Sequence, residues 1–108
     1  MKIIRNKYLP PKGYKAMTIG PYIFVRESSI IGSVDLNHEA IHLEQEKEML
    51  ILPFFIWYVV EFLIRYISNG FKWHKAYRSI SFEKEAYAHQ EEFTYPATRK
   101  FMAWVEYI

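Results

Sequence analysis

The chain has 108 residues and a mass of 13.0 kDa, enough for one domain with one core and no second module. A hydrophobic share of 51% with 9 Tyr, 8 Phe and 3 Trp excludes a disordered tail, and the absence of cysteine excludes disulfides, cysteine-ligated metal sites and thiol nucleophiles. Fourteen basic residues against twelve acidic ones leave a formal charge of +2, and the longest basic run is Arg99-Lys100, which argues against nucleic-acid binding.

The first residues, Met1 to Lys7, carry charge but lead into no apolar core, so they do not read as a secretory signal, and the expected location is the cytoplasm. Pro10-Pro11 and Gly13 predict an irregular segment over residues 1–15. Ala16 to Ile19 and Tyr22 to Arg26 read as two short strands broken at Gly20-Pro21, the second rich in the aromatic and β-branched residues that strands favour. Residues 28–33 read as a loop or a further short strand. Helical spacing begins near Asp35, with Asp35 or Asn37 as N-cap. Leu36, Ala40, Leu43 and Leu50 share one side of that helix, and Glu44, Glu46, Lys47 and Glu48 lie largely elsewhere. Pro53 kinks or ends it. A second helix is expected over Phe54 to Ser68, stopped by Asn69-Gly70. Residues 71–81 are mixed in character. A third helix is expected over Phe82 to Phe93, and a fourth begins at Pro96 with an apolar stripe of Ala97, Phe101, Trp104, Val105 and Ile108.

The first helix carries His38-Glu39-Ala40-Ile41-His42, an HExxH pattern that holds two of the chain's four histidines. Residues four apart share a helix face at roughly 6 Å, so both imidazoles can reach one tetrahedral Zn²⁺. Glu39 lies beside such an ion rather than on it, placed to accept a proton from the attacking water. Two histidines do not complete a zinc site. In a chain without cysteine the candidates for a third ligand are His74, His89 and the carboxylates.

At this point the sequence resembles a known group. Phe82-Glu83-Lys84-Glu85-Ala86-Tyr87-Ala88 resembles the second motif of gluzincin-type metallopeptidases, in which a Glu on a later helix is followed three residues on by a small Ala. The stretch from His38 through Gln45 resembles the HExxHxxQ form of small bacterial zincin-like proteins. The resemblance implies Glu83 as third ligand, and Tyr87 stands where the family often has Asp. Periodicity alone leaves Glu83 and Glu85 equivalent, one on each side of the stripe of Phe82, Ala86, His89 and Phe93. The family also places a His or Tyr near the developing oxyanion, a role open to His74, whereas the alternative for His74 is a surface loop position. Tyr87 can steady the ligand or simply pack, and Gln45 can hydrogen-bond to a ligand or be solvated.

Met49 to Val60 is a run without charge, and its extension to Ile67 contains only Glu61 and Arg65. This segment can serve as a core helix, a contact with a membrane surface or a second copy of the chain, or a span. A span would place the two zinc motifs on opposite sides of the bilayer. The expected fold is thus α+β and mainly α: one zincin-like helical domain over residues 1–108 with a short N-terminal β element. Its expected function is zinc-dependent hydrolysis of a peptide or protein substrate through His38, His42, Glu83 and Glu39. The alternatives are a non-catalytic metal-binding module and a helical interaction protein, membrane-peripheral or homodimeric.

Overall fold

Three strands, β1 (Lys2–Asn6), β2 (Ala16–Ile19) and β3 (Tyr22–Arg26), form a sheet of order β1-β3-β2 in the computed structural model, which describes residues 2–108. β2 and β3 pair antiparallel as a hairpin with Ile19 opposite Tyr22. Gly20 takes φ +56° at the first turn position, a conformation glycine adopts freely, and Pro21 follows. β1 runs parallel to β3, so part of the segment expected to be irregular is a strand. Its partner, β3, comes fifteen residues after its end, so local sequence pattern does not reveal the pairing.

The helices are α1 (Ser33–Glu48), α2 (Leu52–Ser68), α3 (Trp73–Ser79), α4 (Ser81–His89) and the single turn α5 (Tyr95–Thr98), followed by a 3-10 turn over Ala103–Tyr107. The fold is α+β and mainly α. The N-cap of α1 is Gly32 rather than Asp35 or Asn37, and Asp35 reaches back to accept the Gly32 N–H at 3.1 Å. Asn37 instead donates across the fold to the carbonyls of Gln90 (2.9 Å) and Glu92 (3.0 Å). Those bonds hold the chain just past α4, which ends at His89 and not at Phe93.

α1 is inverted relative to the expectation from its apolar residues. Asn37, His38, Glu39, His42, Gln45 and Glu46 are buried, whereas Leu36 and Leu43 are half-covered and Leu50 is exposed. The side away from the apolar stripe faces the interior, where most of its polar groups, described below, find partners, while one oxygen each of Glu46 and Glu48 has none. Leu50 and Ile51 both adopt positive φ (59° and 63°) in the turn that bends α2 by 112° from α1, and Pro53 then sits in the first turn of α2. The core is aromatic: Phe54, Ile80, Phe82 and Trp104 cluster, with ring centroids 4.4 Å apart for Phe54–Phe82 and 4.6 Å for Phe82–Trp104.

The expected fourth helix breaks into α5 and the 3-10 turn. Arg99 is extended and Met102 left-handed (φ 58°), which turns the Arg99 guanidinium inward onto Glu85 and Glu48. Only Ala103 and Trp104 of this segment are buried, and Phe101, Val105 and Ile108 of the expected stripe are exposed. The buried ion pair outweighs the helical period here. Among the described residues no single helix is long and apolar enough to cross a membrane.

Candidate metal centre

His38 and His42 project from one face of α1 toward Glu83 in the first turn of α4. Three atoms meet there: His38 Nε2, His42 Nε2 and Glu83 Oε1 are each 3.1 Å from the other two. All three side chains are buried. A tetrahedral ion with bonds of about 2.0–2.1 Å separates its ligand atoms by roughly 3.3–3.4 Å. The observed triangle therefore matches one face of such a tetrahedron to within a few tenths of an ångström.

The chemistry of the donors supports the same fit. Gln45 donates its amide to Phe82 O (3.1 Å) and Glu85 Oε1 (2.9 Å), which turns its own oxygen toward His42 Nδ1 at 2.8 Å. His42 therefore carries its hydrogen on Nδ1, and its Nε2 lone pair points into the triangle. His38 Nδ1 faces Gln90 Oε1 in the same sense at 2.9 Å. Two lone pairs and a carboxylate oxygen thus converge on one point, an arrangement that a cation can complete. Without a metal, protons play that part. Burial alone would lower the His42 pKa, but the charge and hydrogen bond of Glu83 outweigh it and push it up to about 10. Burial likewise works against the Glu83 carboxylate, yet the two imidazoles hold it well below the usual carboxylate range.

Glu83 is gripped from two further sides. Its second oxygen accepts a hydrogen bond from Tyr58 of α2 at 2.8 Å. The start of its helix is capped by Glu61, which accepts from Ser81 N (2.6 Å) and Ser81 Oγ (2.7 Å). Glu61 also forms a long ion pair with Arg65 one turn on, at 3.9 Å. Glu85, the alternative to Glu83, is turned away from the triangle. It makes a two-pronged pair with Arg99 (2.7 and 2.8 Å) and accepts from Tyr95. His42, Gln45, Glu85, Arg99 and Glu48 thereby form one buried polar chain. Glu46 and Glu48, off the apolar stripe of α1, are also covered. Glu46 accepts from Gly20 N, and Glu48 from Arg99 and Met102 N.

Glu39 is not part of the triangle. Thr18 of β2 donates to its carboxylate at 2.8 Å and fixes it beside the site. Burial raises its pKa, while His42 and His38 pull it down and Glu83 adds to the rise. Glu39 and Tyr77 border both of two cavities that flank the triad. The larger, of about 350 Å³, is walled by Met17, Phe54, Phe55, Val59, Phe62 and Trp73, with His42, Glu39, Glu46 and Glu83 at its polar end. No Lys or Arg lines it.

Other expected site residues are not brought to the triangle. His74 is exposed on α3. His89 is occupied by Glu92 (2.6 Å) and the Tyr107 hydroxyl (2.9 Å). Tyr87 packs edge-on against the His38 ring at 4.5 Å, and the Arg78 guanidinium lies over the Tyr87 ring at 3.7 Å. Thr18, Tyr58, Tyr77, Gln90 and Arg99 also surround the site and belong to neither sequence motif. The one local signal was a Tyr and a Glu at positions 58 and 61 of an otherwise apolar run. Comparisons with protein-family models, with curated proteins and with solved structures find no match.

Proposed function

We propose that this protein is a zincin-like zinc hydrolase acting on peptide bonds, with His38, His42 and Glu83 as metal ligands and Glu39 as general base. The observation that carries this reading is the buried triangle of two imidazole nitrogens and one carboxylate oxygen at 3.1 Å. A mixed N/N/O set suits zinc, and three protein ligands leave a fourth position open. Zinc in such a site supplies an acidified water and polarises a carbonyl. Glu39, its proton affinity raised by burial and its orientation set by Thr18, accepts the proton of the attacking water and hands it to the leaving amine. Tyr77, lining both cavities, can donate to the developing oxyanion, the role left open to His74 in the sequence. β2 pairs with β3 on one side only, and cavity walls include Ala16 to Thr18, so an extended peptide can add to its free edge. The apolar cavity then takes a large hydrophobic side chain.

Elemental analysis of the purified protein should give one zinc per chain. Glu39→Gln should keep that zinc, while cleavage of a polypeptide library, read by mass spectrometry, falls by roughly 10²–10⁴-fold. Absence of metal removes the reading. Bound zinc with no cleavage in the wild type reduces it to a metal-binding module.

A further inference from the structure

Helix α2 packs Phe54, Phe55, Tyr58 and Phe62 inward and is apolar on its outer half as well. At about 100° per residue its exposed positions fill one continuous arc of about 180°. The arc runs from Val59 round to Ser68, and Ser68 is the one polar residue on it. Leu52, Ile56, Val60, Leu63, Ile64 and Ile67 are between 51% and 67% exposed. The helix's two charges lie on the opposite side, with Glu61 buried as the cap of α4 and Arg65 beside it. Exposed Leu50 extends the patch at one end, exposed Phe71 and Trp73 at the other. A contiguous apolar surface of this extent marks an interaction face.

The width of the arc and the charges around it select the partner. A helix packed on one other helix buries a stripe of about 100°, and a coiled-coil seam is narrower still. Half the circumference is more than one partner helix covers. It fits a continuous apolar phase. The segment that follows, Phe71-Lys72-Trp73-His74-Lys75, interleaves exposed aromatics with two exposed lysines, and no acidic residue lies on the arc. Apolar face, interfacial tryptophan and flanking cations together describe a helix lying in the plane of a membrane surface. We propose that the outer half of α2 docks this protein on an anionic bilayer, with Lys72 and Lys75 at the lipid headgroups. The helix lies on the bilayer and does not cross it, because Tyr58 and Glu61 on its inner half are bonded to Glu83 and Ser81. Docking does not depend on the metal reading. One consequence does rest on it: Val59 and Trp73 line the large cavity and are exposed, so its mouth opens at the edge of the docked face and its ligand enters from the membrane interface.

The test is co-sedimentation with phosphatidylcholine vesicles, with and without phosphatidylserine, alongside tryptophan emission. Wild type should sediment with the phosphatidylserine vesicles and its emission should shift to the blue. Ile56→Glu with Leu63→Glu, both at exposed positions, should keep the circular dichroism and thermal midpoint of wild type and lose binding at least about tenfold. Lys72→Glu with Lys75→Glu should weaken binding by about fivefold for each lysine, and only where phosphatidylserine is present. Glu83→Gln should bind vesicles as wild type does, so failure of the metal site leaves this result standing. Wild type left in the supernatant with both vesicle types overturns the proposal. So does a stable dimer in sedimentation equilibrium that the α2 double variant converts to monomer, which would make the face a contact between two copies.

Discussion

Gln45 sets the tautomer of a proposed ligand, and Gln45→Met isolates that role. Methionine fills a similar volume with no hydrogen-bonding amide. Three bonds are lost: to His42 Nδ1, Phe82 O and Glu85 Oε1. Two of the three partners keep another. Phe82 O still accepts within α4, and Glu85 Oε1 still accepts from Arg99 at 2.8 Å. The His42 Nδ1–H alone is stranded in a buried site. Leaving one such donor unsatisfied costs about 1–3 kcal/mol, and loss of a group orienting a metal ligand lowers metal affinity about 10–100-fold. Zinc competition against a chromophoric chelator measures the second figure, and urea unfolding of the metal-free protein the first. If Gln45→Met holds zinc within twofold of wild type, His42 is not oriented as described and the convergence of lone pairs loses its basis.

The two carboxylates of α4 should separate cleanly. Glu83→Gln should abolish tight zinc binding with the fold retained, whereas Glu85→Gln, which breaks a buried pair with Arg99, should destabilise by about 3–5 kcal/mol in chemical unfolding. Equal effects of the two changes on zinc affinity would refute the assignment. The metal-free protein should also lose stability as pH rises. The His42 pKa is pushed up to about 10 in the folded state from 6.5, so its contribution is complete below about 6.5 and disappears toward 10. Glu46, pushed up from 4.5 to about 7 mainly by burial, acts in the same direction over that lower range, as does Glu39, raised by burial. The thermal midpoint of the metal-free protein should therefore fall between pH 7 and 9, and zinc should restore it while displacing about one proton per ion in buffer-matched calorimetry. A flat or rising midpoint across that range would contradict the picture of His42 and Glu83 sharing a proton.

Part of this arrangement is legible in the sequence. The hairpin strands are found at the boundaries expected from their β-branched and aromatic runs, and the α+β, mainly α class follows from the patterning. The four-residue spacing of His38 and His42 places their imidazoles together in any helix. Glu83 is different. Its register against Glu85 is decided by Tyr58 and Glu61 on one side and by Arg99 on the other, all distant in sequence. β1 and the broken C-terminal segment are hidden for the same reason. One needs a parallel partner at β3 and the other yields to an ion pair, so neither is a local property.

The two long helices mislead in a related way, and the cause is instructive. Reading an apolar stripe as the inner face assumes that burial follows hydrophobicity. In α1 the assumption fails because the interior holds a polar site, and His42, Gln45 and Glu46 go inward, each with a hydrogen-bond partner, while Leu50 is left outside. α2 has to serve that same interior. Tyr58 and Glu61 are its contribution to holding Glu83 and α4, and they fix which half of the helix points in. The apolar residues of the other half have nowhere to go within a chain of 108 residues. The geometry of the triad and the exposed apolar arc are thus consequences of one rotation of α2 about its axis. A helix rotated to bury Ile56 and Leu63 would withdraw the tyrosine from Glu83 and the glutamate from Ser81, leaving the start of α4 uncapped and the proposed third ligand unsupported.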